Sequence, residues 1–425
     1  MATSAVKKPA SKSANQSADR SVEPPMLAAR SNGKLDLSQY ETIALVLQGG
    51  GALGSYQAGV YEALEEAGIL PNWVSGISIG ALNTAIIAGN PPGKRVEQLK
   101  AFWETICKPA FLPASMTAAM SWMEQATAEM RKLFNAWEAS RAMLEGQRGF
   151  FTPRVPSPLS GMVTGVQHAS FYDTSILKST LEQFADFDRI NDPRLMRVSV
   201  GAVDVENGNF DYFNNSDPKD PLLPEHFMAS GALPPGFPAV AIWRPKAQQM
   251  RYYWDGGLMS NTPLYDVLTH VPRRDTLAFQ VDLWSARGHL PDNLYDVAER
   301  QKDIQFSSRT RMITDYMKEV QTQRRMLHEL LQIIPAATRS HNELCKKAAE
   351  MACLKRFNVI HLIYQDKEYE GHFKDYEFGP LTMREHWLSG LADVERTLLH
   401  PEWFSLPSED RPFMTHDIHR QRGAC

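Results

Sequence analysis
The sequence predicts an α/β fold with a mainly parallel central sheet, and three observations carry that reading. The continuous apolar run Ile43-Ala44-Leu45-Val46-Leu47 has the character of a strand buried on both faces. It passes through three consecutive glycines, Gly49-Gly50-Gly51, into a segment whose Val60, Tyr61, Leu64 and Ala67 recur at helical spacing and which stops at Gly68. Strand-like stretches over 196–205, 209–213, 250–254 and 276–283 then alternate with helical segments, the pattern of an α/β sandwich. Sheets of this kind hold their ligands at strand ends and at the first strand-to-helix turn.

Residues 76–80 read Gly-Ile-Ser-Ile-Gly, after a short apolar lead-in at Trp73 and Val74 and before a small-residue helix start from Ala81. In a G-x-S-x-G elbow the serine stands exposed where a strand turns sharply into a helix, so Ser78 is the candidate nucleophile. Gly76 and Gly80 spare the turn a clash that bulkier residues would cause. An ordinary turn is the competing reading of the five residues.

The glycine run also satisfies G-x-G-x-x-G through Gly54, which would make it a dinucleotide loop. That motif needs a carboxylate about 20 residues further on to hold the ribose. Here 70–76 contains none and runs straight into the serine elbow. The glycines serve better as bare backbone N–H donors converging on an oxyanion.

A base is supplied by Arg251-Tyr252-Tyr253-Trp254-Asp255-Gly256-Gly257, where Asp255 ends an aromatic strand and Gly256 and Gly257 free the backbone to bring the carboxylate into a crowded site. Asp-Gly-Gly on its own is also a common hairpin turn. His270 and His289 follow Asp255 in the order of a Ser-Asp-His triad, but each sits in a polar stretch without a helpful neighbour; His168 and His226 precede it.

Taken in order, the glycine loop, G-x-S-x-G and D-G-G resemble the patatin-like phospholipase family, and Ala229-Ser230-Gly231-Ala232-Leu233-Pro234, ending in Phe237-Pro238, resembles a further family segment. The resemblance covers about 40–283. It implies a three-layer sandwich and a Ser-Asp dyad without histidine, with Ser78 as nucleophile, Asp255 as general base, and Gly49, Gly50 and Gly51, closed by Gly54, as the oxyanion loop. Two departures stand out: Leu53 replaces the Arg or Lys of many members, and Gln48 replaces an acidic residue before the glycines. The expected activity is hydrolysis of lipid esters, phospholipids above all, through an acyl-enzyme and with no metal or organic cofactor. A non-catalytic lipid-binding or scaffold protein of the same fold is the alternative, and an NAD-dependent oxidoreductase is a more remote one.

Composition fits an ordinary globular enzyme: 425 residues, 43% hydrophobic, 22% charged, formal net charge −4. No apolar run reaches the roughly 18–20 residues that span a bilayer, and the N-terminus has no apolar h-region. Cys107, Cys345, Cys353 and Cys425 show no metal spacing and suit reduced thiols, so a cytoplasmic location is expected. No nucleic-acid partner is expected.

The chain divides into a Ser-, Ala-, Lys- and Pro-rich tail over 1–38, a catalytic domain over 39–283 and a helix-rich extension over 284–425. Within the catalytic domain, about 111–165 reads as a helical insertion. Its Met116, Met120, Met123, Met130, Leu133, Phe134 and Trp137 fit either an acyl-chain cover or a plain core face. In the extension, 299–334 gives one long charged helix, followed by a strand over 357–364 and a helix over 381–399. Such extensions resemble those of one bacterial branch of patatin-like proteins. The basic side of the long helix, with Arg309, Arg311, Lys318, Arg324 and Arg325, would suit peripheral contact with an anionic membrane. Its apolar stripe would pack on the catalytic domain.

Overall fold
The computed structural model describes residues 35–108, 123, 126–161, 165–307 and 310–419. Residues 1–34 of the tail, Met116, Met120, Arg309 and Cys425 lie outside the described residues. The described residues from Leu37 onward form one compact unit.

A nine-stranded sheet runs through that unit. Its strands are β1 (Thr42–Leu47), β2 (Trp73–Gly76), β5 (Arg197–Asp204), β6 (Phe210–Asn214), β7 (Val240–Arg244), β8 (Gln249–Asp255), β9 (Thr276–Asp282), β10 (Phe357–Ile363) and β11 (Phe413–Asp417), while β3 (Thr152–Pro153) and β4 (Tyr172–Asp173) pair separately. The order is β11-β10-β9-β1-β2-β5-β8-β7, with β6 also on β5. From β11 to β5 every pairing is parallel; β6 and β8 each pair antiparallel with β5, and β7 pairs antiparallel with β8. The helices are α1 (Ser55–Glu66), α2 (Ile79–Ala88), α3 (Arg95–Ile106), α4 (Ala128–Glu145), α5 (Ser175–Phe184), α6 (Phe187–Ile190), α7 (Pro224–Ser230), α8 (Leu264–Thr269), α9 (Leu294–Phe306), α10 (Thr310–Ile333), α11 (Ala336–His341), α12 (Glu343–Met351) and α13 (Pro380–Leu398).

Strand alternation makes the three layers. Ala44 and Val46 of β1, Ala278 of β9 and Val359 of β10 pack with Leu264, Val267 and Leu268 of α8 and with Met317 of α10. Because successive side chains point to opposite faces, Leu45, Leu47 and Phe279 face the other way, where Phe279 meets Phe404 and α1, α2 and α13 cover the sheet. The apolar stripe of α10 thus finds its core within the chain, through Ile313 and Met317.

Three expectations need correction. The extension, expected as a helix-rich addition, also builds the main sheet: β10 and β11 continue it beyond β9. The long helix expected over 299–334 is two helices, α9 and α10, parted at Ser307. On α4, Met130, Leu133 and Trp137 are exposed and make neither a core face nor a wall of the cavity around Ser78. The buried side of that helix is ionic instead: Arg131 donates bidentately to Glu385, at 2.9 and 2.7 Å, and Arg141 pairs with Glu138. A helix can bury charge at this density because each guanidinium meets a carboxylate.

Candidate active site
Register alone brings the two candidate residues level. Gly76 pairs with Val200 of β5, so the chain two residues on reaches the height of Ala202, and Ala202 pairs with Asp255 at the end of antiparallel β8. Strand order also turns outward in both directions from β1, towards β2 on one side and β9 on the other. The crevice at the carboxyl ends of such strands is where open α/β sheets bind ligands.

At Ser78 the backbone takes φ 55° and ψ −125°, a conformation that β-carbon-bearing residues rarely adopt and that costs about 1–3 kcal/mol. Close approach makes the turn possible: a β-carbon on Gly76 would strike the backbone of Gly80, and one on Gly80 would strike the Leu47 carbonyl. Ser230 pins the elbow, since its Oγ accepts from the Ser78 N–H at 3.0 Å and donates to the Gly201 carbonyl at 2.7 Å. Ser230 lies in the stretch that marked the resemblance, but nothing in the sequence revealed this bracing role.

The Asp255 carboxylate is buried, accepts from the Gly257 N–H at 2.7 Å and lines one cavity with Ser78. Burial pushes its pKa up to about 7, against the lowering influence of the Ser78 hydroxyl and the Gly257 N–H. Gly256 sits against the Gly201 carbonyl and Gly54 against Ile79.

The glycine loop divides its labour. Gly49 donates its N–H to the Asn261 carbonyl at 3.2 Å, so it is not a free donor, and its lack of a side chain lets the loop close to 2.9 Å from Ser78 Cβ, measured to where a β-carbon would stand. Gly50 donates to no acceptor among the described residues, and Gly51 opens a short 3₁₀ helix, where the first N–H has no partner within the helix. Gly51 has φ +57°, and a β-carbon there would run into the Asp375 carbonyl. Ile79, the first residue of α2, contributes a third N–H of the same kind beside the serine. The sequence reading missed it, although the residue after an elbow nucleophile is a regular donor.

Gln48 does the anchoring that an acid would otherwise do. Its Nε2 donates to Thr262 Oγ1 at 3.0 Å and to the Phe306 carbonyl at 3.1 Å, and its Oε1 accepts from the N–H groups of Leu283 and Trp284. Asn261 and Trp284 both donate to the Gly49 carbonyl, at 3.0 and 2.8 Å. Leu53 is fully buried, so no cation stands at that position.

Around these groups lies a cavity of about 660 Å³, open solvent at its mouth included. Phe150, Phe151, Phe237 and Phe378 form its aromatic wall, with mutual ring contacts at 5.2–6.5 Å. The extension supplies Trp284, Phe306, Asp375, Tyr376 and Phe378. Lys302 holds Asp375 at 2.8 Å, and buried Lys374 pairs with Asp303 and Asp366 at 2.8 Å each, so ion pairs fix the extension's loop over the glycines. None of the triad histidines reaches this cavity: His270 is tied to Arg197, His226 accepts from the Leu223 N–H, and His168 and His289 are exposed.

The chain belongs to the patatin-like phospholipase family. The family model described as Patatin-like phospholipase matches residues 45–268, more than half of the chain, and one described as Patatin phospholipase matches 304–410. Among individual proteins, patatin-like phospholipase domain-containing protein 6 of Homo sapiens is 47% identical over 62 residues, 15% of this chain and 4% of that protein. Lysophospholipase nte1 of Aspergillus terreus is 55% identical over 47 residues, 11% of this chain and 3% of that protein. The chain thus spans only a small part of the curated relatives it matches. Of solved structures, VipD from Legionella pneumophila aligns with TM-score 0.33 and 14% identity over 84% of this chain and 67% of that one. Human GIVD cytosolic phospholipase A2 aligns with TM-score 0.29 and 13% identity over 58% and 44%.

Proposed function
We propose that the protein is a lipid acyl hydrolase that cleaves carboxylic esters, phospholipids above all, by a Ser78–Asp255 dyad through an acyl-enzyme. The observation that carries this reading is the meeting, in one cavity, of a strained serine and a buried carboxyl whose proton affinity sits near neutrality. Asp255 takes the hydroxyl proton as Ser78 Oγ attacks the ester carbonyl, and the negative oxygen settles against the N–H groups of Gly50, Gly51 and Ile79. Collapse breaks the ester C–O bond, and the departing alcohol receives the proton from Asp255. Water then gives a proton to Asp255 as it attacks the acyl carbon; collapse breaks the acyl C–Oγ bond, releases the carboxylic acid and returns the proton from Asp255 to Ser78 Oγ. The aromatic wall offers an apolar bed for the acyl chain. Family membership supports a lipid substrate.

A fluorophosphonate probe should label Ser78, and Ser78→Ala should abolish the label together with hydrolysis of a phospholipid panel. An unlabelled wild type would favour the non-catalytic lipid-binding alternative. The pH profile follows from Asp255, which acts as a base only when ionised. The kcat/KM for a soluble ester should therefore climb through about pH 7 and level off above it. A profile flat between pH 5 and pH 8, within about twofold, would remove Asp255 from that role.

A further inference from the structure
A second cavity opens at the opposite edge of the sheet. It is walled by Thr42, Trp73, Arg197, Thr276 and Phe357, the first residues of β1, β2, β5, β9 and β10, whereas Ser78 stands beyond the carboxyl ends of the strands. It holds about 1270 Å³, open solvent included, and shares no lining residue with the catalytic cavity. Arg194, Arg197, Arg273 and Arg274 converge on it with His270, and no carboxylate lines it.

Arg194 has its own carboxylate in Asp192, but Arg197, Arg273 and Arg274 have none within ion-pair distance among the described residues. The Arg197 guanidinium stacks on the Trp73 ring at 3.8 Å and donates to His270 Nδ1 at 2.7 Å. Arginine can only donate, so Nδ1 must accept; the imidazole is neutral and carries its proton on Nε2. Burial, and then the charges of Arg197 and Arg274, push the His270 pKa down to about 4. The Nε atoms of Arg197 and Arg273 are buried and have no acceptor.

The surrounding carboxylates do not balance the cluster. Asp192 is taken by Arg194, at 2.7 Å. Asp275 pairs with Lys355 and Arg356; Glu41 pairs with Lys355 and acts on Arg274 only from beyond ion-pair distance. Asp266 acts on Arg197 from α8, but its pKa is raised by burial and only then lowered by Ser199 and Arg197. Neither Arg273 nor Arg274 forms an ion pair among the described residues. Like charges gathered in a concavity, with buried donors left open, destabilise the fold until an anion fills them.

We propose that this cavity binds a phosphate-bearing anion, free or as a lipid headgroup, with Arg197 and Arg273 donating from the wall and Arg274 from the rim. A phosphoryl group has enough acceptor oxygens to meet several guanidinium forks at once.

The test is calorimetric titration of the full chain with inorganic phosphate, against sodium chloride of equal ionic strength. Saturable phosphate binding is expected, weakened at least about tenfold in Arg273→Ala/Arg274→Ala, with hydrolysis of a soluble ester unchanged. Arg274→Gln alone, at an exposed position, should weaken binding several-fold and stands in if the double variant does not fold. In a Ser78→Ala background, flotation with vesicles of phosphatidylcholine alone, or of equimolar phosphatidylcholine and phosphatidate, separates the sources. Capture by phosphatidate vesicles that phosphate displaces assigns a headgroup, while phosphate binding without capture assigns a free anion. Phosphate binding no better than chloride, or equally well in the arginine variants, overturns the proposal. These readouts are independent of whether Ser78 hydrolyses esters.

Discussion
Asp255→Asn is expected to lose about 10²- to 10⁴-fold in ester turnover and, above pH 7, to unfold at a higher temperature than the wild type. Both effects come from the same buried carboxyl. Below about pH 4 it is protonated in the folded and the unfolded chain alike, so it has no influence on stability. As pH rises from there, the unfolded chain releases the proton first, because the folded pKa has been raised to about 7. Stability therefore falls across that window and is flat above it, by up to about 4 kcal/mol at 1.36 kcal/mol per unit. Asparagine is neutral throughout, can still accept from the Gly257 N–H and can donate to Ser78. Its stability advantage should thus grow between pH 4 and pH 7 and then stay constant in calorimetric melts. His270→Ala, at a residue held by Arg197 away from the serine, should keep turnover within a few-fold of wild type. The dyad would be refuted by the opposite ranking, and a pH-independent gain in Asp255→Asn would refute the account of its burial.

Much of this site was legible because its local geometry demands particular residues. An elbow needs Gly76 and Gly80 where backbones nearly touch, and an apolar run such as 43–47 has few other uses than a strand buried on both sides. What stayed hidden depends on pairing between distant segments. Val240–Arg244 and Phe413–Asp417 become strands because β8 and β10 offer them edges, and neither carries a long apolar pattern. The Gly49 amide looked available until Asn261 came to it from more than two hundred residues away. Gln48 read as a departure from an acidic anchor, yet its amide satisfies donors and acceptors at once, which a carboxylate could not do. The buried charges of α4 inverted the expected apolar face because Glu385, on α13, lies opposite. The apparent boundary near 283 followed the end of the family resemblance and not a break in packing.

That boundary has a testable consequence: a chain ending at Leu283 is expected to yield no soluble folded protein, although it contains Ser78, Asp255 and the whole glycine loop. Removing 284–425 strips β10 from β9, leaving an apolar parallel strand, Leu277 to Val281, as an open edge. It also removes α13, against which α1 is shaped. A β-carbon on Gly59 would strike the Trp387 carbonyl and one on Gly390 would strike the Tyr56 carbonyl, so the two helices meet backbone to backbone. Fully buried Tyr56 donates to Asp393 at 2.7 Å, and without α13 this ring faces water. Because α1 follows directly from the glycine loop, loss of its support should move the Gly50 and Gly51 N–H groups as well. The measurement is soluble yield and fluorophosphonate labelling of the truncated chain, with 284–425 co-expressed as the rescue. Gly390→Leu in the full chain asks the same question at one position: overpacking there should cost at least about 1–3 kcal/mol and slow Ser78 labelling. A soluble 1–283 fragment that labels at the wild-type rate would show that the catalytic apparatus stands without the extension, and that the ion-paired loop from Lys374 to Tyr376 has no part in shaping it.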